Sequence, residues 1–69
     1  MSDIRITLNG EARSLPRPAS LTGLIESLGL DPRMIVVERN REIVRRPDLD
    51  RTPVEDGDVL ELVHFVGGG

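Results

Sequence analysis

Asp58-Val59-Leu60-Glu61-Leu62-Val63-His64-Phe65-Val66-Gly67-Gly68-Gly69 is the stretch from which the rest of the chain is read. Up to Val66 it has the β-branched and aliphatic character of a strand. A strand this apolar belongs in the middle of a sheet, beside the first strand and parallel to it. Leu60 and Leu62 share one face, while Glu61, Val63 and Phe65 share the other. The three glycines have no side chain to bury or ionise, and they permit close approach by another backbone. Three extended residues reach roughly 10 Å beyond a sheet, which suits insertion into a narrow enzyme cleft. What such a tail offers chemically is the backbone carboxylate of Gly69. The competing reading is a frayed terminus. The expected division is a single domain over residues 1–66 and a flexible glycine tail over 67–69.

Upstream, Asp56-Gly57-Asp58 is a turn signal. Ile4, Ile6 and Leu8 alternate with Asp3, Arg5 and Thr7, the period of a half-buried strand. Asn9-Gly10 then marks a hairpin, because a type I′ turn needs positive φ at both central residues. Glu11 to Leu15 returns as the second strand. The simple register sets Ile6 against Arg13 and Ile4 against Leu15. Arg13 must then reach the rim, or a bulge must shift it. Pro16-Arg17-Pro18-Ala19 is a connector. Ser20 suits an N-cap, and Leu21, Leu24, Ile25 and Leu28 form one apolar helical stripe. Gly29 suits the left-handed position after the helix, with Leu30 folding back on its last turn. Met34 to Arg39 reads as a strand inside the sheet, Asn40-Arg41 as a turn and Glu42 to Arg45 as its return. Pro47 to Asp50 reads as one helical turn. The predicted fold is α+β: a mixed four- to five-stranded sheet with one main helix across one face, the β-grasp or ubiquitin-like layout.

Sixty-nine residues bury a small core, and the absence of cysteine removes disulfides and thiolate metal sites. Nine arginines oppose twelve acids, a net charge of -3, so nucleic acid is a poor partner. No run approaches the roughly 20 apolar residues of a membrane span, and no signal-peptide pattern opens the chain. The expectation is a cytoplasmic protein that binds neither nucleic acid nor membrane. His64 is the single histidine, so Cys–His catalysis and the usual zinc sites are excluded. Ser14, Ser20 and Ser27 have no base near them in sequence, and Asp56 and Asp58 read as turn chemistry. No catalytic or metal-binding residues, and no bound cofactor, are expected. If Leu60 and Leu62 meet the helix, Val63 lies on the uncovered face. Val63, Phe65 and Val66 are the candidate docking surface, with Phe65 wrapping over the core edge as the alternative. Glu55, Asp56, Asp58 and Glu61 could steer a basic partner.

The chain resembles the ThiS family, the bacterial sulfur carriers of thiamine biosynthesis. The likeness rests on the Asn9-Gly10 hairpin and the Leu24-Ile25-x-x-Leu28-Gly29 helix. It continues through Asn40-x-x-Ile43-Val44-x-Arg46, Thr52-x-Val54-x-Asp56-Gly57-Asp58 and Glu61-Leu62-Val63 to Gly68-Gly69. Arg41 departs from the pattern, since a glycine often follows the asparagine, and a simple type I′ turn is less secure there. The resemblance implies that a ThiF-like adenylyltransferase uses ATP to activate the Gly69 carboxylate, and that a persulfide sulfur donor converts it to a thiocarboxylate. Gly67, Gly68 and Gly69 would then enter the active site of a ThiG-like thiazole synthase. The protein would be a covalently modified cosubstrate and not an enzyme. Two alternatives are a carrier for another pathway, such as a molybdopterin synthase small subunit, and a ubiquitin-like modifier or interaction module. Val63-His64-Phe65-Val66 stands where the molybdopterin branch tends to carry a Pro-Pro element, which favours thiamine. Having no lysine, the chain cannot build lysine-linked chains on itself.

Overall fold

A computed structural model describes residues 3–64. The alternating Ile4, Ile6 and Leu8 form strand β1 (Ile4–Leu8), with all three side chains buried. Asn9 and Gly10 take φ of 49° and 84°, the two positive values a type I′ hairpin requires, and β2 (Glu11–Leu15) returns antiparallel. The register sets Ile4 against Leu15 and Ile6 against Arg13 without a bulge. Arg13 is exposed, so its guanidinium resolves the conflict by reaching the rim.

Helix α1 (Leu21–Ser27) starts where Ser20 Oγ accepts the Gly23 N–H at 3.0 Å. It is under two turns of backbone and cannot persist by propensity alone. Its apolar stripe holds it, with Leu21, Leu24 and Ile25 all buried. Gly29, at φ 76°, lets the chain leave through paired bonds from Gly29 N–H to Glu26 C=O and from Leu30 N–H to Ile25 C=O. This is a Schellman ending, and Leu30 packs against the core behind it.

Strand β3 (Ile35–Arg39) begins one residue later than its composition suggests. Asp31 caps a short 3₁₀ turn, Pro32–Met34, by accepting the Arg33 N–H at 2.9 Å, and this turn claims Met34. Strand β4 (Glu42–Val44) stops before Arg45, since Arg46-Pro47 opens a second 3₁₀ turn, Arg46–Asp48. That turn begins one residue before the expected Pro47 and ends two before the expected Asp50, and Leu49 after it is buried in the core.

The last strand, β5 (Val59–His64), completes a five-stranded mixed sheet of order β2-β1-β5-β3-β4. It lies at the centre, parallel to β1 and antiparallel to β3. Leu60, fully buried, meets α1's stripe together with Ile4, Ile6 and Val37. One sheet face is covered by the helix and the other is open, as a β-grasp requires.

Candidate functional site

The pairings fix which side chains share the open face. Val63 lies opposite Val36, Glu61 opposite Glu38, and Ile43 opposite Glu38 on its other side. Val59 continues the row beside Thr7 of β1. Val63 is 59% exposed, Ile43 62% and Val59 47%, so the open face carries an exposed apolar row. It is also wider than expected. Val36 and Ile43 extend it, and neither follows from a reading of Met34 to Arg39 as a strand inside the sheet with Glu42 to Arg45 as its return. The alternation of Val36 with Ile35 and Val37 along the strand is the signal that finds Val36, whereas Ile43 is placed only by its pairing with Glu38. Phe65, Val66, Gly67, Gly68 and Gly69 lie outside the described residues.

The acids divide differently from the sequence expectation. Asp58 is buried and is consumed by the fold. It accepts Arg39 Nε at 2.8 Å, the Glu55 N–H at 2.8 Å and Asn40 Nδ2 at 3.1 Å. Burial raises the pKa of this carboxyl, but the bonds from Arg39, Glu55 and Asn40 outweigh it and the net shift is downward. Asp56 accepts the Arg5 N–H at 2.7 Å and Glu55 pairs with Arg39 at 3.2 Å. Three of the four acids expected to steer a partner therefore hold turns and strand ends. Glu61 remains on the open face, and Glu38 joins it directly across the β3–β5 ladder. Two carboxylates in that position repel one another, and a cation brought by a partner would relieve them.

His64 is exposed at the end of β5, paired in register with Ile35. It stands on the helix side of the sheet, beside a groove of about 300 Å³ shared with Leu8, Arg13, Leu30 and Leu62. Among the described residues no group of three potential metal ligands gathers, and no helix is long and apolar enough to cross a membrane.

β5 thus runs from a buried polar anchor at Asp58, through the core, to a half-open end that leads into residues 65–69. A sequence model of the ThiS family matches residues 6–69, which includes the three glycines. The chain belongs to the ThiS family. The crystal structure of the thiamine biosynthesis protein ThiS from Geobacter metallireducens superposes with a TM-score of 0.80 at 32% identity, covering 96% of this chain and all of that one. Sulfur carrier protein ThiS of Bacillus subtilis is 40% identical over 50 residues, covering 72% of this chain and 76% of that protein. A thiazole synthase of Paramagnetospirillum magneticum is 41% identical over 66 residues, or 96% of this chain. This ThiS-family chain spans only 20% of the length of that thiazole synthase, and the same share of a second from Magnetococcus marinus.

Proposed function

We propose that this protein is a sulfur carrier of thiamine biosynthesis, with the Gly69 carboxylate as the group that carries sulfur. The observation behind the reading is the ThiS family match, which continues from the folded domain through Gly67, Gly68 and Gly69. A carboxylate is a poor electrophile, because it is anionic and has no good leaving group. Adenylation by a ThiF-like partner, with ATP giving pyrophosphate, supplies AMP as that leaving group. The terminal sulfur of a persulfide then attacks the acyl carbon and AMP departs. A thiol attacks the donor's sulfur in the resulting acyl disulfide and ends joined to the donor as a disulfide, releasing a thiocarboxylate whose sulfur is a nucleophile at neutral pH. The catalytic groups and the ATP site belong to the partners, and this chain supplies the substrate tail.

The open sheet face is the docking surface in this reading. Val63, Ile43 and Val59 give an apolar centre, Glu38 and Glu61 give it charge, and Phe65 and Val66 follow Val63 in the chain. The recipient is a thiazole synthase. Support comes from relatives that bear that name and contain a segment similar to nearly the whole of this chain. A soluble, cytoplasmic setting fits a carrier that must meet several enzymes in turn. The test is single-turnover sulfur transfer from the thiocarboxylated protein. Transfer to the thiazole precursor in the presence of thiazole synthase is expected. Transfer only to a molybdopterin precursor, through a molybdopterin synthase large subunit, would overturn the choice of recipient.

A further inference from the structure

Two asparagines grip β5 from opposite sides, and each sits at the first position of a hairpin turn. Asn40, at φ 51°, follows β3, and its Oδ1 accepts the Val59 N–H at 2.9 Å while its own N–H donates to Val59 C=O at 2.8 Å. Asn9, at φ 49°, follows β1. Its N–H donates to Leu60 C=O at 2.9 Å and its Oδ1 accepts the Leu62 N–H at 2.8 Å. The two grips differ in position along the strand. Asn40 holds the first residue of β5, next to the Asp58 anchor. Asn9 holds Leu62, two residues beyond the last β1 pairing at Leu60.

The Asn9 bond is an added rung on the parallel ladder. The β1 backbone turns away at Asn9-Gly10, so the side-chain amide stands in for the carbonyl that a longer β1 would have offered. Among the described residues, β5 beyond this rung is paired only on the β3 side, through Val36↔Val63 and Ile35↔His64. A strand held on both sides has a fixed direction, whereas one held on a single side can twist about that ladder. The Asn9 rung therefore moves the point at which β5 loses its β1-side neighbour from Leu60 to Leu62, a distance of about 7 Å along the strand.

We propose that Asn9 is a positioning residue for sulfur loading: its amide fixes the direction of β5 at Leu62, and with it how the described end of the strand is presented to the activating enzyme. This rests on the sulfur-carrier reading above. A strand end already fixed in direction loses less freedom on docking, so the contribution falls on binding and not on the chemical step. Asn9→Gly isolates the effect, because glycine adopts φ 49° at no steric cost and removes only the amide. Asn9→Asp keeps an acceptor oxygen and tolerance of positive φ. Asn40→Gly removes the equivalent grip at the far end of β5.

The experiment measures adenylation kinetics with the cognate activating enzyme, together with hydrogen exchange at the Leu62 amide. Asn9→Gly is expected to lose protection at Leu62 and to raise KM about fivefold to tenfold, the worth of one hydrogen bond, with kcat within about twofold. Asn9→Asp is expected to restore both values. Asn40→Gly is expected to lower the urea midpoint while leaving KM unchanged. An unchanged KM in Asn9→Gly would overturn the proposal. So would failure of that variant to fold, since the amide would then hold the sheet instead of directing the strand end. If the wild-type protein is not adenylated at all, the sulfur-carrier reading fails first, and protection at Leu62 still reports whether the rung exists.

Discussion

Arg41 holds φ at 73°, a left-handed conformation that costs a side-chain-bearing residue about 1–2 kcal/mol. Its β3–β4 turn closes all the same, because Asn40 ahead of it is bonded to Val59 and Asp58. The sequence made this turn doubtful on local grounds, and contacts 18 and 19 residues away decide it. Arg41→Gly should therefore stabilise the fold by about 0.5–1 kcal/mol, the relieved strain less glycine's extra chain entropy, read from the urea midpoint. Asp58 is the opposite case, a residue read as turn chemistry that is in fact a buried anchor. Its folded pKa lies below the ordinary 3.8, so its ionisation stabilises the fold above the unfolded pKa. That contribution is lost as pH falls through the lowered value. Wild-type stability should decline on acidification below about pH 4. Asp58→Asn should be less stable at pH 7 and should show a shallower acid decline, measured by urea unfolding across that range. Asp58→Ala, which removes the acceptor of the Glu55 N–H and Asn40 Nδ2 and leaves Arg39 only its exposed partner Glu55, should cost about 1–3 kcal/mol.

The elements of the sheet were legible wherever alternation or turn chemistry was unambiguous. The β1–β2 register followed from Asn9-Gly10 alone, and α1 followed from the Ser20 cap, the leucine spacing and Gly29. Boundaries failed by a residue where prolines recruited their neighbours into 3₁₀ turns, at Met34 and at Arg46. The open face was half legible. Val63 could be placed from β5 itself, but Ile43 and Glu38 reach the site through strand pairing, which the local pattern does not encode. The grip of Asn9 on Leu62 spans 53 residues and had no local signal beyond a turn residue. At this scale the docking proposal makes a direct prediction. Val63→Glu and Ile43→Glu remove exposed apolar side chains, so each should change stability by less than about 1 kcal/mol. Each should nonetheless weaken binding to the activating enzyme by about tenfold, as read by calorimetry. Equal losses in stability and binding would place these residues in the folding account instead.

The whole molecule divides into a frame and a strand that passes through it. Asp58 and Asn40 anchor the start of β5, Leu60 pins it in the core, and Asn9 holds it at Leu62. Beyond His64 come the residues to which the family match assigns its last positions, Gly67 to Gly69. In the proposed reading it is Gly69 that carries sulfur. The most direct measurement is intact mass after incubation with ATP, the activating enzyme and a persulfide donor, for the wild-type protein and for one lacking Gly69. The wild type is expected to gain the mass difference of one sulfur for one oxygen, on its C-terminal residue. The shortened protein is expected to fold with an unchanged urea midpoint and to gain nothing. A wild-type protein that stays at its original mass, or a shortened one that is converted equally well, would contradict that reading.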